Sequence, residues 1–211
     1  MTMVLSLTNC LGGIVLLCAF LQIAQRRMTA MLMLSQVEAL ALVSMAVLQG
    51  YQQHSWWLYV LAAIMFAAQF AVFPWIIRKF SGRFNVSFDL RKGLSLAVSL
   101  TIGILAVFLA MKGALPLVKQ SWSPGGSAFS LAMAVALLGV WLIILHSECL
   151  AQMIGFVTFE NGLVLALINS PGVGGSIKIG LIVLLVLAAG LILFRVWRRY
   201  ASLNAAAGAM P

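Results

Sequence analysis

The chain carries four carboxylates in 211 residues, Glu38, Asp89, Glu148 and Glu160, and two of them lie inside long apolar runs. Glu160 sits in MIGFVTFENGLVLAL, residues 153–167, followed by Asn161 and Gly162. Glu38 lies in a second apolar run, with Ser35 one turn before it and Gln36 nearby. A carboxylate at the centre of a bilayer costs about 3 kcal/mol on insertion scales, so each acid should face a bundle interior, a water-filled cavity or a partner subunit. The chemistry open to such a group is reversible ion loading, because desolvation disfavours the bare charge. The competing reading is a protonated or hydrogen-bonded acid that only locks helix packing, and the sequence leaves both open. Asn161 adds a donor and an acceptor beside Glu160, while Gly162 permits close helix approach or a water pocket.

Glu160, Asn161 and Glu38 are therefore the candidate ion-translocation residues, with Glu160 expected as the ion-binding carboxylate and Glu38 as a secondary one. Three more polar residues rank behind them. Gln69 is expected to hydrogen-bond between helices. Lys178, near the outer end of the last span, either snorkels to the interface or joins a charge relay. His146, with Glu148, flanks a turn where a proton can be taken up or where a solvated turn suffices. Asp89 beside Arg91 and Lys92 reads as a local ion pair.

Other chemistry is not indicated. The sequence contains no Walker loop, dinucleotide fingerprint, HExxH or GxSxG elbow. Its two histidines, His54 and His146, are expected at opposite membrane faces, which argues against a histidine-ligated metal or haem. Cys10, Cys18 and Cys149 lack CxxC or other metal-ligand spacing and read as small lipid- or helix-facing residues. No metal or cofactor site is expected in this chain.

The elements that must hold these groups are membrane helices. The chain is 64% hydrophobic and only 8% charged, whereas soluble domains are roughly a quarter charged. Its apolar runs reach the roughly 20 residues needed to cross the hydrocarbon core. Hydropathy places about seven spans, at roughly 3–24, 28–50, 56–77, 93–112, 128–146, 150–169 and 176–196. The first lacks a basic n-region and a small-residue cleavage site, so it reads as a retained helix rather than a signal peptide. Neither a CaaX box nor an MGxxx[ST] start is evident. The expected fold is thus an all-α integral membrane protein.

Basic residues divide by side. Arg26, Arg27, Arg78, Lys79, Arg83, Arg91, Lys92, Arg195, Arg198 and Arg199 fall on one, and Lys112, Lys119 and Lys178 on the other. The positive-inside rule places the first group in the cytoplasm, the N-terminus outside and the C-terminus inside. The net charge of +9 is accordingly read as helix-end anchoring and not as a nucleic-acid surface. SWWLY at 55–59, Trp75 and Trp197 read as interfacial anchors, and Pro74 as a tolerable kink.

The expected organisation is a three-helix group over 1–80, then a basic cytoplasmic loop, fourth helix and Pro/Gly-rich outer loop over 81–127. A second three-helix group follows over 128–199, with a disordered cytoplasmic tail at 200–211. Aligning Glu38 with Glu160 also pairs Met31 with Met153 and Leu32 with Ile154, in the manner of repeat-built transporters.

MIGFVTFENGLVLAL, the following IKIGLIVLLVLAAGLILFRVWRR and the Pro-containing AAQFAVFPWIIRKF resemble the component E membrane subunit of hydrogenase-4 and formate hydrogenlyase-type complexes. The last three helices of that family are similar to the K subunit of complex I and the C subunit of multisubunit cation/proton antiporters, here through LAQMIG and the polar position near Glu160 and Asn161. The resemblance implies a membrane-arm subunit of an oxidoreductase complex in a bacterial or archaeal cytoplasmic membrane, helping to couple redox chemistry to proton or sodium movement. Its expected partners are antiporter-like membrane subunits, lipid and peripheral redox subunits that carry the metal centre and iron–sulfur clusters. A purely structural subunit and an antiporter component are the alternatives. Two departures matter. Some members of the family carry a lysine at the position of Gln69, and an acid early in the last helix, where this chain offers only Lys178 and apolar residues. An unbroken proton wire within this chain is therefore not expected; Glu38 or a partner subunit would supply the second acid.

Overall fold

The computed structural model describes residues 2–75, 95–119, 126–146 and 148–169. Those residues form helices α1 (Thr2–Ala24), α2 (Met28–Gln53), α3 (Trp56–Trp75), α4 (Leu96–Lys119), α5 (Gly126–Leu145) and α6 (Cys149–Ile168). The spans predicted from hydropathy match these helices closely. The basic connection at 78–92 with its Asp89 pair, the seventh span at 176–196 with Lys178, Trp197 and the tail lie outside the described residues. Sequence reasoning puts a turn-rich loop from about residue 112; instead α4 continues to Lys119, through Pro116, and α5 starts at Gly126. A proline inside a membrane helix is tolerated where neighbours satisfy the carbonyl it frees.

Four of the six helices carry an apolar stretch long enough to cross a membrane; the apolar parts of α4 and α5, Leu96–Lys112 and Phe129–Leu145, are shorter. The distribution of residues supports the same setting. Met33, Ile104 and Ile144 point outward with 60% or more of their surface exposed, while Gln22, Glu38, Thr158 and Asn161 are fully enclosed. A water-soluble fold would reverse that arrangement. This is a multi-pass membrane protein by helix length and hydropathy.

The helices pack as two groups joined through α1 and α2. Helix α2 lies against α1, α3 and α6, and α1 against α2, α4 and α5. On α2 the buried Met31, Ser35, Glu38, Leu42, Met45 and Gln49 recur at alternating steps of four and three, the spacing that keeps one stripe facing neighbouring helices. Helix α6 answers with Ile154, Thr158, Asn161 and Leu165, all buried.

The closest pair is α5 and α6, which meet backbone to backbone. A Cβ on Gly139 would stand 2.3 Å from the Phe159 nitrogen, and one on Gly162 would stand 2.5 Å from the Ala136 nitrogen. Lipid tails give little drive for helices to associate, so dispersion contacts between closely approaching backbones carry more of the load. The seam fixes the rotation of α6: with Gly155 and Gly162 turned to α5, Thr158 and Asn161 are turned to α1, α2 and α3.

Candidate functional site

Glu38 is the centre of a buried polar cluster drawn from four helices. It lies ten residues into α2, roughly 15 Å from the helix start, and its side chain has no exposed surface. From α1, Gln22 donates Nε2–H to Glu38 Oε2 at 2.9 Å. From α6, Thr158 donates its hydroxyl to Gln22 Oε1 at 2.9 Å, with Glu38 Oε2 at 3.4 Å as a second acceptor. Asn161, one turn further along α6, faces the Glu38 carboxyl and accepts a hydrogen bond from Gln69 Nε2 of α3. Cys18, one turn before Gln22, is buried and also lies near the carboxyl.

Helix α3 delivers Gln69 by an irregular route. Residues Ala67–Val72 form a π-helical turn, and the Phe73 N–H reaches back five residues to the Ala68 carbonyl. Pro74 follows directly, with no N–H of its own and a ring that clashes with the carbonyl four residues earlier. One extra residue in the turn relieves the crowding and rotates what precedes it, a pattern frequent at functional positions. Gln69 lies in this wide turn, and the rotation aims its side chain at α6.

Among the described residues the cluster contains no cation: the groups around Glu38 are amides, a hydroxyl and a thiol, and its donors are neutral. Several polar atoms remain without partners among the described residues: Glu38 Oε1, Gln69 Oε1 and Asn161 Nδ2. Buried polar groups are rarely left in that condition, so three at one place mark the cluster as incomplete among the described residues.

Apolar layers seal the cluster on both sides along the bundle. Towards the C-terminal end of α2 stand Leu42, Met45 and Leu165, all almost wholly buried. Beyond them is a second polar group, where Gln49 donates to Asn169 Oδ1 at 2.8 Å and Gln53 to Gln49 Oε1 at 3.4 Å. A small crevice there is lined by Thr8, Asn9, Gly12, Met45, Leu131, Leu165 and Asn169. Its α2 wall, Met45, lies roughly 10 Å from Glu38 along the helix. Towards the N-terminal end, among the described residues, Ser35 continues the polar face before Met31, Met28, Ile23, Ile154 and Leu150 close it.

Of the residues singled out from sequence, the fold brings together Glu38, Asn161 and Gln69. Glu160 neighbours Asn161 in the chain but turns to another face of α6, is half-buried, and makes no hydrogen bond among the described residues. The two acids, paired by alignment of the halves, thus occupy different surroundings. His146 is buried at the turn between α5 and α6, where Nδ1 lies 3.1 Å from the Leu142 carbonyl and Gln152 caps the His146 carbonyl at 3.0 Å. It is therefore enclosed within the turn. Gln22 and Thr158 were missed. Thr158 shares its stripe with Asn161 at a spacing of three, a readable signal; Gln22, two residues from the end of α1, looks like an ordinary interfacial glutamine.

No family model, characterised relative or solved structure matches the chain.

Proposed function

We propose that this chain is a membrane-arm subunit of a hydrogenase-4-like respiratory complex, helping to couple redox chemistry on partner subunits to proton or sodium movement across a bacterial or archaeal cytoplasmic membrane. The observation that carries the ion-coupling part is Glu38: a fully enclosed carboxylate, near mid-span, held by neutral donors from α1 and α6 with one oxygen unpartnered among the described residues. A membrane helix keeps such a group at a cost that ion binding offsets. The assignment to that complex rests on the resemblance of the ENG helix and the Pro74 span to component E. In this reading the N-terminus is outside, the C-terminus is cytoplasmic, and the metal centre and iron–sulfur clusters belong to peripheral partners. Glu38 is the principal ion-binding carboxylate. Glu160, half-buried on another face of α6, is the second, available to a neighbouring subunit.

A purely structural subunit is the competing reading, favoured by the glycine seam between α5 and α6. A component of a multisubunit cation/proton antiporter is the third. The deciding experiment expresses Glu38→Gln and Glu160→Gln in the intact complex and measures ion uptake by inverted membrane vesicles driven by the redox reaction. The ion-coupling reading expects normal assembly with reduced uptake per electron. Unchanged uptake in both variants would leave the structural reading, and copurification with antiporter subunits alone would favour the third.

A further inference from the structure

The buried cluster offers more oxygen than a proton needs. Glu38 Oε1, Gln69 Oε1, Asn161 Oδ1, Gln22 Oε1 and Thr158 Oγ1 come together from α1, α2, α3 and α6, and the first two have no hydrogen-bond partner among the described residues. A carboxyl that only exchanges a proton requires one or two neighbours. Carboxylate, amide carbonyl and hydroxyl oxygens converging from several helices are instead what a hard cation takes as ligands.

We propose that Glu38, Gln22, Gln69, Thr158 and Asn161 form a binding site for one dehydrated small alkali cation, sodium in the first instance. Charge selects the valence. Among the described residues Glu38 is the one carboxylate in the cluster and no basic side chain lies beside it, so with these groups a monovalent ion gives a neutral buried site and a divalent ion does not. No group of three or more His, Cys, Asp or Glu able to hold a metal exists among the described residues, which argues against a transition metal. Size follows from packing. The side chains already meet at hydrogen-bond distance, as at 2.9 Å between Gln22 and Glu38, so a small ion fits with less displacement than potassium.

The amides supply the means of switching. Gln22 now turns its N–H to Glu38 and its oxygen to Thr158. A half-turn of the amide plane exchanges the two and presents the oxygen as a ligand. Asn161 can exchange its unpartnered Nδ2 for Oδ1 in the same way, releasing Gln69 to rotate on the wide turn of α3. With the ion gone, the donors return and a proton on Glu38 restores neutrality. Sodium and a proton therefore compete for one carboxylate. Among the described residues, Cys18 and Gln22 on α1 and Thr158 and Asn161 on α6 face Glu38 from the packed helices, and Cys18 is the other titratable group there.

This proposal rests on the ion-coupling reading and names its ion. The test uses the purified full chain in detergent, equilibrated with 22Na+ at constant ionic strength. Stoichiometric binding is expected, displaced by Li+, weakened by acid and little affected by K+. Glu38→Gln should weaken it about 100-fold and Gln22→Leu, which keeps the carboxylate, about tenfold. Tryptophan fluorescence and far-ultraviolet dichroism in sodium-free buffer check that both variants fold. Absence of 22Na+ binding by the wild-type chain, equal displacement by K+, or wild-type affinity in folded Glu38→Gln would overturn the site. The two readings fail separately: a chain without sodium binding whose Glu38→Gln complex still loses proton uptake refutes the sodium site alone. Sodium binding lost in Glu38→Gln with unchanged redox-driven uptake refutes the coupling role alone.

Discussion

A single methyl group at Gly139 should do more damage than any change on the lipid-facing surface. Its Cβ would lie 2.3 Å from the nitrogen and 2.6 Å from the Cα of Phe159, against ordinary contact from 3.4 Å upward. The obstacle is helical backbone, which cannot rotate aside as a side chain can, so α5 and α6 must part by roughly 1 Å. Overpacking costs about 1–3 kcal/mol, and backbone opposition places Gly139→Ala near the top of that range. Three kilocalories is a factor of roughly 150 in the folded-to-unfolded ratio. It corresponds to a fall of roughly 6–12 °C in unfolding temperature for a chain of this size. The internal control is Gly13 of α1, where an added Cβ meets nothing within 4 Å. Gly13→Ala should be neutral or stabilising by up to about 1 kcal/mol, through helix propensity alone. Thermal unfolding of both variants in one detergent, followed by tryptophan fluorescence, compares them directly. If Gly139→Ala unfolds where Gly13→Ala does, the backbone seam is not what joins α5 to α6. Because Thr158 precedes Phe159, the same separation should loosen the Glu38 cluster and weaken sodium binding in Gly139→Ala.

The remaining predictions concern irregular backbone. Pro74→Ala restores the missing N–H, lets α3 revert to regular α-helix and turns Gln69 away from Asn161. Sodium affinity should fall about tenfold, as for loss of one neutral ligand, while Gln69→Leu added to Pro74→Ala should cost nothing further in a binding titration. His54 closes α2 in a left-handed conformation, φ 48°, which costs an L-residue roughly 1 kcal/mol and glycine almost nothing. His54→Gly should raise stability by up to about 1 kcal/mol in the same unfolding assay; a lower stability would show that the ring makes contacts worth more than the strain.

Membrane class and the approximate spans were legible because hydropathy is a property of segments and needs no knowledge of neighbours. The carboxylates Glu38 and Glu160 were legible for the same reason, as was Gln69, since a polar group in an apolar run is visible one residue at a time. Pro74 announced an irregularity in α3 but not its form, because a kink, a bulge or a wide turn all relieve the same clash.

The ranking of the two acids was a different matter. Their sequence surroundings differ little, and Asn161 and Gly162 drew attention to Glu160. In the folded chain those two residues serve other faces of α6: Gly162 meets Ala136 of α5, and Asn161 turns inward to Glu38 and Gln69. A helix turns each successive residue by about 100°, so neighbours in sequence point in different directions. Which direction is inward was set by the backbone contact of Gly139 with Phe159, a relation between two helices that no single segment contains.

The sequence by itself determined the membrane setting of this protein, the position of its first six apolar segments to within several residues, and the presence of acids inside two of them. Only the tertiary structure decided that Glu38 is the enclosed one, that Gln22 and Thr158 hold it, and that Gln69 reaches the cluster from a π turn. Burial in a bilayer depends on the packed face, and that face emerges only when helices meet.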